Sequence, residues 1–225
     1  LSLDGLFGMG YEAVFLAAGL TVAKKLNIPG EDEVGVISSK QLFRMERELG
    51  IEEMIRRFKG KRVLVTEGGN TAMDTARTLL RYGAHPVIVY WRPEPRALKK
   101  EYEAAKAEGV EFMLSTRPVE LRRVGDKIRM KAVKTRFDEP VPDSAFEIEA
   151  DAVVNAIGAL PSFRDKGIIL NDKGFAVVDD ELRTSRDRVF AGGDLVSEGN
   201  VTTAIRDGLR AAESIWRELI RRPAP

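Results

Sequence analysis

The order of apolar runs in this chain predicts an α/β protein: a parallel sheet wound with helices, then an antiparallel meander that returns a strand to the sheet. Three observations carry this. KRVLVT, HPVIVYW and VEFML (61–66, 85–91, 110–114) are short strand-like runs. The segments between them, 70–83 and 96–109, have helical character and end on Gly83 and Gly109. After residue 114 the helical segments stop, and VELRRVG, KIRMKAVKTRF and FEIEADAVVNAIG (119–125, 127–137, 146–158) succeed one another directly.

Taken in order, EAVFLAAG (12–19) is an apolar run ending in small residues, and it reads as a buried strand. LNIPGED (26–32) is a turn by its Pro-Gly pair. In 38–58, Leu42, Met45, Leu49, Ile51, Met54 and Ile55 recur at near-helical spacing with a break at Gly50, which predicts helical linker material. Residues 61–91 then form a strand–helix–strand unit. Its crossover is expected to be right-handed, with Asn70 as the helix N-cap and Gly83 at its C-terminal end. GIILNDKGFAVVDDELRTS (167–185) is turn-rich β, and VFAGGD (189–194) is a strand end with two glycines and an acid. Residues 201–220 form an amphipathic helix capped by Asn200, with Ile205, Leu209, Ala212, Trp216 and Ile220 along one stripe. The tail RRPAP is expected to fray.

Composition excludes several chemistries. Among 225 residues there is no cysteine and one histidine, His85. No disulfide, thiolate metal site or redox dithiol is available to this chain, and no Ser-His-Asp site is expected. No metal-ligand set and no catalytic side chain is identified. His85 reads as a solvated residue before Pro86. A net charge of +1 gives no argument for nucleic acid or an anionic membrane. The longest apolar stretch, AVFLAAGL (13–20), is far short of a membrane span, and a cytoplasmic protein is expected.

The chemistry-bearing stretch is VLVTEGGNTAMDTA (63–76). A phosphate at a strand-to-helix turn needs backbone N–H groups and the positive end of a helix dipole. Gly68 and Gly69 allow a tight turn and close approach, and Ala72 allows tight helix–strand packing. This matches a G-x-G-x-x-G/A dinucleotide cradle in which the first glycine is replaced by Glu67. A carboxylate ~4 Å from a phosphate charge costs about 1 kcal/mol in water and about 4 at an effective dielectric of 20. The expected outcome is weakened binding, eased if Glu67 turns outward toward Lys61 or Arg62. At the end of the second strand stands Trp91-Arg92, with Arg96 and Lys99 behind and no acid. Arg92 suits a 2′-phosphate and Trp91 an adenine stack, which favours NADP(H) over NAD.

Seven stretches together resemble a known family: GYEAVFLAAG (10–19), LNIPGED (26–32), GGNTAMDTART (68–78), VIVYWR (87–92), EGVEF (108–112), FEIEADAVVNAIG (146–158) and TSRDRVFAGGD (184–194). In the same order they are similar to the small (β) subunit of NADPH-dependent glutamate synthase, within the two-dinucleotide-domain flavoproteins. The resemblance implies a Rossmann-like NAD(P)-binding domain (36–156) inserted in a partial FAD-binding domain (1–35 and 157–225). It implies that Gly68, Gly69, Asn70, Thr71 and Ala72 hold the NADPH pyrophosphate. Trp91 and Arg92 would sit at its adenosine end. Gly158, Gly193, Asp194, Val201 and Thr202 would face FAD. It further implies hydride transfer from NADPH to FAD and a partner: an upstream FAD and iron–sulfur portion, with a glutamate synthase large subunit beyond it. The family's own first FAD-binding G-x-G-x-x-G and its cysteine clusters are not in this sequence. The rival reading is a non-catalytic remnant or assembly module. Disulfide chemistry of the thioredoxin reductase type fails for want of a cysteine.

Overall fold

The structure, a computed structural model, describes residues 2–221; the end of the RRPAP tail, 222–225, lies outside the described residues. In chain order the helices and strands begin with α1 (Leu3–Gly8), β1 (Val14–Leu16), β2 (Val22–Ala23), α2 (Glu31–Val34) and β3 (Ile37–Ser38). Next come α3 (Ser39–Leu49), α4 (Ile51–Phe58), β4 (Arg62–Thr66), α5 (Asn70–Arg81), β5 (His85–Val89) and α6 (Lys99–Ala107). They continue with β6 (Glu111–Met113), β7 (Thr116–Val124), β8 (Lys127–Arg136), β9 (Glu139–Pro140) and β10 (Phe146–Ala150). The last are β11 (Ala152–Asn155), β12 (Ala159–Leu160), β13 (Val189–Ala191) and α7 (Val201–Arg221). Two compact units result: residues 23–158, and residues 1–22 with 159–225.

The 23–158 unit is built on a five-stranded sheet of order β3-β11-β4-β5-β6, parallel throughout. Strands buried on both faces read as unbroken apolar runs, and β4 shows why. Val63 and Val65 face one core with Leu42, Met54, Met73 and Leu79, so α3, α4 and α5 cover that side. Leu64 faces the other with Val87, Val153, Leu121, Ile128, Met130 and Ile148, so the antiparallel meander β7-β8-β10 covers the second side. Residues 39–58 are therefore a sheet-covering layer, not linker material. Leu42 and Met54 are fully buried, each contributing roughly 1.5–3 kcal/mol. Gly50, at φ 81°, makes the break between α3 and α4. Ser38 and Gln41 start α3 with a reciprocal capping box.

Residues 23–35 fold with this unit, whereas the sequence expectation assigned them to the flavin segment. The Leu121 N–H donates to Pro29 O at 2.9 Å, and Arg123 donates to Val34 O at 2.7 Å. The meander returns through β11, which enters the sheet between β3 and β4, as its apolar run AVVN suggests.

In the second unit β1 and β13 pair in parallel, with Phe15 opposite Phe190. Leu3, Ile168, Val189 and Leu195 form its core. The turn-rich stretch 167–185 forms isolated bridges rather than strands. Helix α7 departs most from expectation. Asp207, Ala211 and Ser214 are buried, while the apolar stripe of Val201, Ile205, Leu209, Trp216 and Ile220 is exposed. Among the described residues, no helix is long and apolar enough to cross a membrane.

Candidate functional site

Strand β4 delivers the chain to the turn Glu67-Gly68-Gly69, and α5 begins at Asn70. The helix N-cap is Gly69, not Asn70; the Ala72 and Met73 N–H groups both donate to Gly69 O, at 3.0 and 3.2 Å. Asn70 does other work. Its Oδ1 accepts from Leu98 N at 2.8 Å, and the neighbouring Gly68 O accepts from Ala97 N at 2.9 Å. The loop 91–98 is thereby tied back to the glycine turn.

Each small residue has a distinct physical reason. A Cβ on Gly68 would meet the buried Tyr90 ring at 2.4 Å, so this position tolerates no side chain. A Cβ on Gly69 would enter open space, which leaves room for a ligand to approach the backbone. Ala72 is fully buried against the sheet. Thr71 O accepts from Thr75 Oγ1 at 2.6 Å, one turn into α5. Burial raises the Tyr90 hydroxyl pKa, and the nearby Glu67 carboxylate adds to this, so Tyr90 stays neutral beneath the turn.

Glu67 sits at φ 101°, a conformation that glycine adopts freely and a glutamate rarely does. Its carboxylate does not turn out to Lys61 or Arg62. Lys61 Nζ lies 3.8 Å from Asp151, which also accepts from the Arg62 N–H. One Glu67 oxygen instead accepts from its neighbour's Gly68 N–H and the other from Trp91 Nε1, both at a long 3.4 Å. The turn's own anion thus lies across its own donors.

Trp91 and Arg92 stand just past β5, one strand from the β11–β4 boundary where strand order reverses, the usual ligand crevice of an open α/β sheet. The Trp91 ring already has neighbours. Arg92 Cζ is 4.4 Å and Arg117 Cζ 5.3 Å from its centroid, and Tyr90 meets it edge-on. It is therefore not the free stacking surface the sequence suggested. Arg92 reaches Asp138 at 3.4 Å, while its Nε is buried without a partner among the described residues. Beside them is a cavity of about 740 Å³, lined by Trp91–Arg96 and by Ser115, Thr135, Arg136, Phe137 and Asp138. The last three, at the β8–β9 turn, were missed from sequence. Phe-Asp carries no turn signal of the Asn-Gly kind.

The other expected site residues lie elsewhere. Gly158, at φ 102°, closes the 23–158 unit and accepts from Lys24 N at 3.0 Å. In the other unit, Gly193 adopts φ 61° and donates its N–H to the buried Asp207 at 3.0 Å. Asp194 accepts from Gly199 N at 3.3 Å, in the loop before α7. Asn200 caps α7 through Thr203 N at 3.1 Å, leaving Val201 and Thr202 as the first helical residues. Among the described residues, no group of three or more His, Cys, Asp or Glu side chains forms a metal site.

Comparison with known proteins bears on this arrangement. The chain is 35% identical over 234 residues to the glutamate synthase [NADPH] small chain of Halomonas elongata, covering 91% of this chain and 49% of that one. It is 36% identical over 225 residues to the NADP(+)-dependent formate dehydrogenase subunit beta of Moorella thermoacetica, covering 91% and 31%. The chain thus spans half or less of the length of these relatives. The crystal structure of T. acidophilum thioredoxin reductase matches with a TM-score of 0.74 at 26% identity, over 93% of this chain and 66% of that one. The family model described as pyridine nucleotide-disulphide oxidoreductase matches residues 4–208, and the chain belongs to that family.

Proposed function

We propose that this chain is the NADPH-binding part, with the C-terminal part of the flavin-binding domain, of an oxidoreductase that passes a hydride from NADPH to FAD. The observation that carries this reading is the pairing of the 67–72 turn with the arginine-lined cavity at the end of β5. The backbone there fits a pyrophosphate: Gly69 is open, and α5 directs its N-terminal dipole at the turn. Arg92 has an unpartnered Nε and Arg96 makes no ion pair among the described residues, which suits a 2′-phosphate. The family is one of FAD- and NADP(H)-binding oxidoreductases. When both are bound, nicotinamide and flavin supply the hydride chemistry; the chain's residues bind, orient and exclude water.

For FAD, this chain offers a partial site. Gly193, Asp194 and the first residues of α7 suit the ribityl and pyrimidine side. The exposed stripe of α7 and the outer edge of β1, which pairs only with β13, are where a further β-α-β element would pack. We assign that element to polypeptide of the kind that makes up the rest of the relatives' length. A glutamate synthase large subunit is one candidate electron acceptor, and the formate dehydrogenase relative points to others.

The test is calorimetric titration with NADPH and NADH, before and after Arg92→Ala. Saturable NADPH binding, tighter than NADH and reduced to the NADH level by the substitution, is expected. No binding at ~1 mM NADPH, the upper end of ordinary nucleotide affinities, sinks the reading. It would favour the second reading, a module that keeps the fold without productive nucleotide binding, for which the Glu67 carboxylate across the turn is the specific observation.

A further inference from the structure

The β8–β9 turn holds two neighbouring side-chain-bearing residues in the left-handed region. Thr135 pairs with Pro140 and Arg136 with Glu139, so Phe137 and Asp138 form a two-residue turn. Both have positive φ, 49° and 68°. Such turns select Asn and Gly because a side chain costs about 1–2 kcal/mol in this region. Phe is among the worst choices. Its ring gains nothing by burial, being 90% exposed. Strain held without packing return is a reason to look for a ligand.

The turn is also anchored firmly. Arg117 donates to Asp138 O at 2.6 Å, and Thr135 Oγ1 donates to Trp91 O. Thr135 N donates to Ser115 O, and Ser115 N donates to Arg92 O. These bonds fix the turn beside the loop that follows β5. Phe137 therefore projects at the rim of the 740 Å³ cavity whose wall carries Arg92, Arg96 and Arg136. The cavity thus combines a free aromatic face with guanidinium groups, while Trp91 is already stacked by Arg92 and Arg117.

We infer that Phe137 is the nucleobase platform of this site, stacking on the adenine of the bound dinucleotide, and that Asp138 holds Arg92 until a 2′-phosphate displaces it. This rests on the nucleotide-binding reading above and adds to it the residues that grip the adenosine end. A dinucleotide lying across the 67–72 turn has its adenosine ribose at the end of the second strand, where Arg92 stands. The base then extends into the cavity toward Phe137. Base–aromatic stacking is worth ~1–3 kcal/mol, and the Arg136 guanidinium lies 5.8 Å from the Phe137 ring centroid.

The experiment is isothermal titration of the chain with 2′,5′-ADP and with 5′-AMP. Phe137→Asn suits φ 49° better, so it removes the ring while keeping the turn. It is expected to raise the melting temperature slightly and to weaken both ligands by the same factor, roughly 5- to 100-fold. Phe137→Tyr is expected to restore both. Asp138→Asn is expected to tighten 2′,5′-ADP several-fold and leave 5′-AMP unchanged. If Phe137→Asn binds both ligands as the unaltered chain does, the platform is overturned while the nucleotide site stands. Equal effects of Asp138→Asn on the two ligands overturn the latch. If the unaltered chain binds neither ligand, the nucleotide-binding reading itself falls, and the inference with it.

Discussion

The two compact units bury their sheets differently. In residues 23–158, five parallel strands are covered on one face by α3–α6 and on the other by the meander. In residues 1–22 and 159–225, β1 and β13 form a two-stranded parallel sheet bridged at Phe190 by Arg183, and the long helix α7 buries Asp207, Ala211 and Ser214 while exposing Val201, Leu209 and Trp216. The first unit meets the requirement that every apolar face find a partner; the second does not. The lesson is one of autonomy. The 23–158 unit covers its sheet on both faces, whereas the unit of 1–22 and 159–225 leaves the apolar stripe of α7 exposed. An exposed apolar stripe of this length marks an interaction site more often than chance.

Adding one methyl group to a glycine in each unit sharpens this contrast. Gly68→Ala places a Cβ 2.4 Å from Tyr90, a ring with no exposed surface and no room to move. Overpacking of this kind costs about 3 kcal/mol, or roughly 6–12 °C in melting temperature for a protein of this size. A loss below ~2 °C would show that the turn is looser than its packing indicates. Glu67→Gly comes next. It removes a glutamate from φ 101° and takes the carboxylate off the Gly68 and Trp91 donors. Expected are ~1 kcal/mol of added stability and about a fivefold or greater gain in NADPH affinity. Unchanged affinity would mean that the carboxylate moves aside at no cost. In the other unit, a Cβ on Gly208 meets nothing within 4 Å inside α7. Gly208→Ala is expected to stabilise by about 1 kcal/mol through helix propensity, opposite in sign to Gly68→Ala.

Legibility cut across this divide. The parallel order of β4, β5 and β6 was readable because buried parallel strands leave continuous Val and Ile runs. The return of β11 was readable for the same reason. Gly68, Gly69 and Ala72 were readable because the turn depends on the absence of side chains. Three things were not. Asn70 looks like an N-cap in sequence, yet its amide is drawn to the Leu98 N–H, a contact 28 residues away. The stripe of α7 gives the same period whether it faces a core or awaits one; periodicity reports a face, not what covers it. Arg136, Phe137 and Asp138 reach the β5 end only through the pairing of β8 with β7 and β9, and no local rule carries that register.

Acid titration separates a charge that stabilises the 23–158 unit from those at its surface. Burial of the Asp151 carboxyl works to raise its pKa. The Lys127 ammonium at 2.7 Å and the Arg62 N–H at 2.8 Å outweigh it and hold the group below the ordinary carboxylate range. A depressed folded-state value means stability that is present above the ordinary carboxylate pKa of ~4 and lost as pH falls through the lowered value. Asp151→Asn is therefore expected to lower the melting temperature at neutral pH and to flatten its decline between about pH 5 and pH 2. Parallel declines in the two proteins would assign the acid sensitivity to other carboxylates.

The smallest expected effect tests the other side of the comparison. Leu209 and Trp216 are 70% and 66% exposed and belong to none of the buried core clusters, so replacing both by Gln disturbs no core packing in this chain. Its melting temperature should shift by no more than that of other surface changes, within about 0.5 kcal/mol. Fully burying an exposed Leu, by contrast, is worth roughly 1.5–3 kcal/mol. If the stripe is covered in the assembled oxidoreductase, the same double substitution made there should cost several times more, and flavin retention should fall with it. A large loss in this chain alone would mean that α7 already buries the stripe, and the two units would then be alike. Equal, small effects in both contexts would leave the stripe an ordinary wet surface and remove the reason for assigning it a cover.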